Sequence, residues 1–462
     1  MEKSANAEIQ EVIINVKSER EANSPSGNES QNEEVDGEAN ASIGNGHQNR
    51  ELVKDITQML ESSEPPLSPK CCIYRVPLDL RNLNEEAYTP KVISIGPFHH
   101  GVERLEAMEK RKVRYFKIFV EKAKLNVENL VSIIRDREKD VRSCYSEISN
   151  LSTDDYVKMI LLDASFIIVF LLKRGHEEWA DCDNSTTFTE RLMIAIFNDI
   201  WLLENQLPLF LIEELYSLAF PSPSNYPLFT QLAIQLCEEL VTDFFSPLNE
   251  HHLSSYSNFH FLDLARTISL SQSKRLQKRS IGNKFLRTYN ASQLVDAGVK
   301  FKVVSSECLF DIEFTNGVLK IPCLTLYIQT ESLFRNLVAL EQCHYQFDRY
   351  VTDYVYILDF LIDTNKDVDL LVEKGILVNT LGDSNAATTL VNKLSQHTYF
   401  IVMNSDYCRL CENLNTFYSV PCHKWKAILR RDYFSTPWRI ASTVAAIILL
   451  VLTFIQTVRS FY

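Results

Sequence analysis

Three cysteines close to the C-terminal end of the chain have the spacing that zinc sites use. Cys408, Cys411 and Cys422 form a Cys-x2-Cys-x10-Cys string, and His423 follows directly. Thiolate and imidazole groups are common zinc ligands, usually in tetrahedral sets of four. Because the neighbours Cys422 and His423 do not fit one tetrahedral ion comfortably, the string lacks a complete set. We therefore predict no metal and no cofactor, with these three cysteines as weak candidates.

A loop rich in glycine and proline carries two adjacent histidines. The stretch "SIGPFHHG" contains Gly96, Pro97, His99 and His100. Imidazole groups can bind metals or transfer protons near neutral pH. No pair of carboxylates lies at a fixed spacing in this stretch, so we interpret the motif as a set of loop-locking residues. The alternative is a hydrolase or metal-dependent site that uses both histidines with the acids near Glu204.

Several acidic side chains interrupt apolar segments and are expected to be buried. A buried carboxylate must be neutralised, paired or hydrogen-bonded. Arg335, in "FRNLVALEQ", is the expected cationic partner. The sequence also has no glycine-rich phosphate loop, nucleophile elbow or His-Glu-x-x-His stretch, so no catalytic residue is assigned and a non-enzymatic protein is favoured. The predicted structural polar network consists of Asp163, Asp199, Glu204, Asn205, Arg335 and Glu341.

The composition predicts a mainly α-helical protein. Only 12 of the 462 residues are glycine, and Leu, Ile, Glu and Lys recur in long stretches without helix breakers. The apolar residues 159–172 are too short for an easy bilayer span and include Asp163, so we predict a central core helix there. The formal net charge of -13 argues against nucleic acid as a partner.

One β-hairpin is predicted at about residues 308–324. Asn316-Gly317 is the dipeptide that a two-residue type I′ turn prefers. Setting Thr315 opposite Val318 pairs apolar side chains on one face and places Glu313 opposite Lys320 on the other. The same register pairs Phe314 with Leu319, Ile312 with Ile321 and Phe310 with Cys323, and the alternating Val299, Phe301 and Val303 suggest a third strand.

The N-terminal part of the chain is predicted to lie outside the folded body. Residues 1–50 are acidic and poor in large apolar side chains, so we expect disorder. Residues 51–72 are predicted to form a short helix followed by a proline-rich linker. The α-dominated body then covers residues 73–431.

The C-terminal segment 440–458 carries no charge and predicts a single transmembrane helix. Its nineteen residues span about 28 Å as a helix, close to the thickness of the hydrocarbon core. Trp438 and Tyr462 are placed as interfacial aromatic residues, with Ile440 and Val458 at the ends of the apolar run. Basic residues outnumber acidic ones before the segment, which predicts a cytosolic body, a juxtamembrane stretch at 432–439 and a short non-cytosolic tail at 459–462. The bases before it are Lys424, Lys426, Arg430, Arg431 and Arg439, and Arg459 alone follows.

A series of ordered motifs from Tyr74 to the C-terminus resembles the plant-specific family known as domain of unknown function 247, or uncharacterised protein family 0481. The motifs are "YRVPLDLRNLNEEAYTPKVISIGPFHHG", "LEAMEKRKVRYF", "NDIWLLENQLPLF", "FHFLDL", "ASQLVDAGVKF", "FRNLVALEQ" and "YFSTPW". In "LDASFI" the chain departs from the Gly-Cys that members tend to carry after the aspartate. The resemblance implies a mostly helical, membrane-associated plant protein without established enzyme activity, and some members are linked to pollen-stigma self-recognition in grasses.

These observations together predict a membrane-tethered plant protein that acts as a non-catalytic interaction or recognition and signalling module. The expected partners are the lipid bilayer and other proteins. The expected location is the plasma membrane or an endomembrane, with a single span and the N-terminal body in the cytosol.

Overall fold

The structure is a computed structural model of the chain, and it divides into two units, Met1–Pro66 and Leu67–Tyr462. The residues that it describes are 39–61, 66–176, 179, 189–221, 226–241, 259–271, 273, 285–305, 308–396, 398, 402–421, 425 and 437–460.

The prediction of a mainly α-helical protein is confirmed. The structure is 64% helical, with 16 helices and small sheets in the described residues. The helices are α1 Ala39–Glu61, α2 Leu78–Arg81, α3 Glu106–Ala123, α4 Val127–Arg142, α5 Thr153–Gly175, α6 Glu190–Ile200, α7 Leu209–Ala219, α8 Phe229–Val241, α9 Phe261–Ser271, α10 Ala291–Asp296, α11 Ile328–Cys343, α12 Tyr350–Leu361, α13 Asn365–Glu373, α14 Ser384–Leu394, α15 Ser405–Ser419 and α16 Pro437–Ser460. The strands are β1 Lys300–Val304, β2 Glu313–Thr315, β3 Val318–Pro322, β4 Leu324–Leu326 and β5 Leu377–Asn379.

Helix α5 is the centre of the core, as predicted for residues 159–172. Ser152 caps its first turn, where the hydroxyl oxygen accepts a hydrogen bond from the Asp155 N–H at 3.2 Å. The helix is buried along nearly its whole length, and α3, α4, α7 and α8 pack around it. Because neighbours surround the helix on every side, its apolar residues are core residues rather than a membrane span. The burial also encloses one acid, Asp163, which must find partners inside the protein.

The predicted hairpin register is confirmed over three residue pairs. Strand β2 is antiparallel to β3 and pairs Thr315 with Val318, Phe314 with Leu319 and Glu313 with Lys320. The Lys320 ammonium group is 3.3 Å from the Glu313 carboxylate. Asn316 and Gly317 have φ values of 51° and 75°, as a type I′ turn requires.

The predicted extension of the hairpin beyond these pairs is wrong. The Asp311 N–H donates to the Cys308 carbonyl at 3.2 Å and the Ile312 N–H to the Phe310 carbonyl at 3.0 Å, so the chain turns at 308–312 instead of running extended beside β3. The pairs Ile312 with Ile321 and Phe310 with Cys323 therefore do not form, although Phe310 and Ile312 are buried. The third strand does form, because β1 adds to β3 in parallel and pairs Phe301 with Leu319.

Helix α1 is longer than predicted. It covers Ala39–Glu61 and so begins within the segment 1–50, whose predicted disorder stays a prediction. Nucleation is the unfavourable step in helix formation. Once residues 51–61 are helical, each further residue adds a hydrogen bond without a second nucleation step, which favours extension of the helix towards the N-terminus. Residues 1–38, also predicted to be disordered, lie outside the described part of the chain.

Helix α16 is long and apolar enough to cross a membrane. It has 24 residues and a mean hydropathy of 2.2, and none of its side chains is buried. Trp438 is 86% exposed, and Ile440 and Val458 are exposed as well. Tyr462 and the juxtamembrane residues 432–436 lie outside the described residues.

Replacing Gly317 by alanine is expected to lower the stability of the body by more than the same change at Gly101. Both glycines have a positive φ, which costs a side-chain-bearing residue about 1–2 kcal/mol. A Cβ atom at Gly317 would also lie 3.1 Å from the Phe417 ring, whereas one at Gly101 would have no atom within 4 Å. Thermal unfolding followed by circular dichroism measures the difference, and equal losses would contradict a hairpin packed against Phe417.

Candidate functional site

Four of the predicted network residues, Asp163, Asp199, Glu204 and Asn205, lie around one buried loop, which we call the histidine loop (residues 91–101). The loop has no regular secondary structure, and most of residues 93–99 are buried. Its backbone N–H and C=O groups therefore need partners other than a helix or a sheet. Polar side chains from α3, α5, α6 and the segment between α6 and α7 provide them.

Asp199, in the last turn of α6, accepts three backbone hydrogen bonds from the beginning of the loop. The N–H groups of Lys91, Val92 and Ile93 donate to its carboxylate at 2.8, 2.6 and 2.9 Å. Burial raises the pKa of Asp199, and these three donors oppose that rise. One carboxylate thus satisfies the N–H groups of three consecutive loop residues.

Asn205 continues this support along the loop. Its side-chain oxygen accepts from the Ile95 N–H at 2.7 Å, and its amide group donates to the carbonyls of Ile93 and Asp199 at 3.0 and 2.9 Å. One amide side chain therefore satisfies both a donor and an acceptor of the loop, as a strand would. It also ties the loop to the end of α6.

The middle of the loop depends on a buried ion pair between Asp163 of α5 and Lys112 of α3. The Lys112 ammonium group is 2.5 Å from Asp163, from Glu109 and from the Ser94 carbonyl oxygen. The second Asp163 oxygen accepts from the Gly96 N–H at 2.8 Å. Both side chains of the pair are fully buried, so each charge depends on the other.

Gly96 can be only glycine in this arrangement. Its φ is +74°, and a Cβ atom there would lie 2.6 Å from the Gln206 carbonyl oxygen and 2.8 Å from the Tyr145 hydroxyl. That hydroxyl donates to the same Gln206 oxygen at 2.8 Å. Pro97, which is half-buried, follows directly in the chain. The loop therefore turns at the point where Gly96 lies against the 201–208 segment.

Glu204 closes the network at the end of the loop. Its buried carboxylate lies 3.0 Å from the Arg75 guanidinium, 2.5 Å from that of Arg81 and 3.2 Å from His99 Nε2. It also accepts the Val76 N–H at 2.8 Å. Burial alone would raise the pKa of Glu204, but the neighbouring His99 and Arg81 side chains and the Val76 N–H lower it to about 2.

Arg335 does not have the partner that the sequence suggested. It pairs with Glu331 one turn earlier on α11, at 2.8 Å. Glu341 pairs instead with Arg266 of α9 at 2.9 Å and accepts the N–H groups of Val351 and Thr352 at the start of α12. Glu331 lies one turn before Arg335 on α11, at i,i+4. Arg335 therefore forms this local ion pair and not a pair with one of the buried acids that are distant in sequence.

Sequence reasoning missed several cationic and polar members of these networks. Lys112 could have been found, because Met108, Lys112, Tyr115 and Phe119 share one buried helical stripe. Asn336 was missed too: it accepts the Leu203 N–H at 2.9 Å and donates to the Ala87 carbonyl at 2.8 Å. Arg75, Arg81 and Arg266 carry no such spacing signal, since their acids are distant in sequence.

Glu204 and the two histidines differ in how far they are engaged. The Glu204 side chain is completely buried and paired with Arg75 and Arg81, and a carboxyl group with a pKa of about 2 stays ionised near neutral pH. The His99 side chain is 8% exposed, and its Nε2 lies 3.2 Å from that carboxylate without the alignment of a hydrogen bond. His100 is half-buried, and the structure gives its Nδ1 no hydrogen-bond partner. The alternative of an enzyme centred on these residues stays a prediction of the sequence.

The cysteine string does not assemble within the part of the chain that the structure describes. Cys408 and Cys411 are buried on α15, and burial raises the pKa of the Cys411 thiol to about 12. Cys422 lies outside the described residues. Among those that are described, no three His, Cys, Asp or Glu side chains come together as a set that could hold a metal ion.

An open groove lies on the outer side of Asp199. It has a volume of about 600 Å³ and lies between the segment 84–91, the end of α6 and the start of α11. Ile194 and Ile328 are apolar residues of its lining that are 47% and 79% exposed. Glu86, Lys91 and Glu331 add charges of both signs, so the groove is amphipathic.

The fold and the network together define a class of protein: a helical body that clamps one irregular loop with buried acids, followed by an apolar helix. A plant family described as "Plant protein of unknown function", DUF247, matches residues 73–452. The chain belongs to this family.

Two relatives in Arabidopsis thaliana extend over nearly the same length. UPF0481 protein At3g47200 is 28% identical over 434 residues, which cover 87% of this chain and 88% of the relative. Putative UPF0481 protein At3g02645 is 23% identical over 484 residues, which cover 83% and 89%. No solved structure matches the chain.

The Glu204 network predicts a loss of stability at acid pH. The folded-state pKa of about 2 lies below the ordinary value of 4.5, so this contribution is complete above pH 4.5 and is lost as the pH falls towards 2. The shift corresponds to about 3 kcal/mol. In a Glu204→Gln variant, the free energy of unfolding at pH 7 should fall by about that amount, and its decrease between pH 5 and pH 3 should be smaller than in the unmodified chain. Parallel pH profiles in urea titrations would contradict this account.

Proposed function

We propose that this plant protein is a membrane-tethered, non-catalytic interaction module for recognition or signalling. The observation that carries the proposal is α16: 24 residues with a mean hydropathy of 2.2 and no buried side chain. Such a helix leaves a large apolar surface in contact with solvent unless lipid or another protein covers it. The lipid bilayer is the proposed cover, because the length of the apolar run fits the hydrocarbon core.

The distribution of bases supports a cytosolic body. Several lysines and arginines precede α16, including Arg439, whereas Arg459 alone follows it. Positive residues next to a span favour the cytosolic side. The proposed location is the plasma membrane or an endomembrane, with only residues 459–462 on the far side.

The non-catalytic part of the proposal rests on how the buried acids are used. Asp163, Asp199 and Glu204 direct their oxygens at backbone N–H groups and at paired cations. Acids saturated in this way hold a fold together and have little capacity left for proton transfer. We therefore propose that the network is structural and that the function lies on the surface.

The groove beside Asp199 is the proposed contact surface for a protein partner. Its size falls within the range of ligand-binding clefts, and its apolar rim with charges of both signs suits an amphipathic peptide segment. The groove and the loop network share the end of α6, so the network keeps the floor of the groove rigid.

The membrane tether and its orientation predict a defined pattern of protease digestion. Full-length protein with an N-terminal tag should stay in microsomes after alkaline carbonate washing, and protease should digest the body without detergent.

Replacing Leu450 and Val451 by arginine should release the protein from the membrane, because each charge costs about 3 kcal/mol at the centre of a span. The control variant Leu450→Ile should not release it. A protected body, or glycan on Asn150 or Asn290, would overturn the orientation.

The proposed contact surface predicts that an Ile328→Asp variant loses partner labelling. Ile328 is 79% exposed at the start of α11, and an acid in the first turn of a helix is favourable, so the body should stay folded. Ile148→Asp is the matched control, since Ile148 is 78% exposed and is not among the residues that line the groove. Proximity labelling in plant cells should show proteins that disappear with Ile328→Asp and remain with Ile148→Asp. Identical labelling by both variants would rule out the groove as the contact surface.

A further inference from the structure

Two cysteines lie next to each other where the first segment of the body meets the end of α4. The Ile73 N–H donates to the Cys144 carbonyl oxygen at 2.9 Å, and the Ser146 N–H donates to the Ile73 carbonyl oxygen at 2.9 Å. These bonds form a parallel bridge between Ile73 and Tyr145. Cys72 and Cys144 immediately precede the two bridge residues, and the Cys72 N–H also donates to the Cys144 carbonyl oxygen at 2.9 Å.

A direct backbone hydrogen bond holds the two cysteines side by side. Because the Cys72 N–H donates to the Cys144 carbonyl oxygen, the two Cα atoms lie within about 6 Å of each other, inside the range that disulfides span. The strongest side-chain interaction of the Cys72 thiol is with Cys144, whereas that of the Cys71 thiol is with Tyr74. Both Cys72 and Cys144 are free thiols in this structure.

The surroundings of the pair make Cys144 the more reactive thiol. The interaction with Cys72 lowers the pKa of the Cys144 thiol, burial and Asp140 oppose that change, and the nearby Lys70 ammonium group adds to it. Lys70 itself is 61% exposed and lies 2.7 Å from Asp140, the residue whose carbonyl oxygen accepts the Cys144 thiol. Cys144 is 4% exposed, and its thiolate is the nucleophile of the pair.

We propose that Cys72 and Cys144 form a reversible dithiol–disulfide site that hydrogen peroxide oxidises. The Cys144 thiolate attacks one peroxide oxygen, the O–O bond breaks, and the departing hydroxide takes up a proton to give water and a sulfenic acid on Cys144. The Cys72 thiol then loses its proton, its sulfur attacks the Cys144 sulfur, and the second hydroxide leaves as water. Two thiols are oxidised to one disulfide, and one peroxide is reduced to two waters.

The disulfide would fix a segment on which the network around the histidine loop depends. The Cys72 carbonyl oxygen lies 3.1 Å from His260 Nε2, and a few residues later Arg75 and the Val76 N–H bond Glu204. A cross-link to Cys144 closes a long loop of chain and so restricts the unfolded state. Oxidation is therefore expected to raise the unfolding temperature of the body, and a reducing agent should reverse the increase.

Peptide mapping of the purified full-length protein in detergent tests the proposal. After treatment with hydrogen peroxide, digestion without reductant should give one new peptide pair that joins Cys72 to Cys144, and dithiothreitol should remove it. The Cys71→Ser variant should still form this pair and show the same rise in unfolding temperature. Cys72→Ser and Cys144→Ser should show neither change.

The unmodified chain alone can overturn the proposal, so the test does not depend on the variants folding. Cys71 and Cys72 share one peptide, so fragment-ion sequencing must locate the bridged cysteine. A cross-link from Cys144 to Cys71 or Cys343, or a Cys144 that advances to sulfinic acid while Cys72 remains a free thiol, would contradict the assigned pair. So would a peroxide-induced cross-link to Cys144 in the Cys72→Ser variant. Cys411→Ser, at a buried thiol on α15, serves as a further control and should oxidise like the unmodified chain.

Discussion

The central constraint on this protein is the need to satisfy the backbone of a buried loop that has no strand or helix to pair with. An unpaired buried N–H or C=O group costs about as much as a lost hydrogen bond, and the histidine loop has several in succession. Asp199, Asn205 and Asp163 meet this requirement through hydrogen bonds to the loop backbone. The burial of Asp163 and Asp199 follows from this demand, and Glu204 adds an ion-pair cluster beside the loop.

The acids in turn fix the rest of the core. Asp163 requires Lys112, so α3 must lie against α5 in one register. Glu204 requires Arg75 and Arg81, so the first segment of the body must cross the 201–208 segment. Removing Lys112 would leave the buried Asp163 charge without a cation, which is more costly than losing an apolar contact. The polar network therefore specifies one arrangement of helices, and apolar packing fills the space around it.

The same constraint accounts for how the buried carboxylates are used. Asp163, Asp199 and Glu204 direct their oxygens at donors inside the core. Three other features are the proposed sites of function: the groove at the end of α6, the apolar α16, and the buried thiol pair at Cys72 and Cys144. The groove shares Lys91 and Asp199 with the loop network.

The sequence by itself determined the features that depend on local pattern: the helical class, the core helix α5, the turn at Asn316-Gly317 with its three-pair register, and the length of the apolar C-terminal helix. Periodicity and turn chemistry act over a few residues, so they are readable without a structure. The candidate acids could also be named, because charges inside apolar runs must be buried. Only the tertiary structure decided their partners, since the pairs Asp163 with Lys112, Glu204 with Arg81 and Glu341 with Arg266 join residues far apart in the chain. Such pairing depends on how helices pack, and nothing in the local sequence encodes that distance.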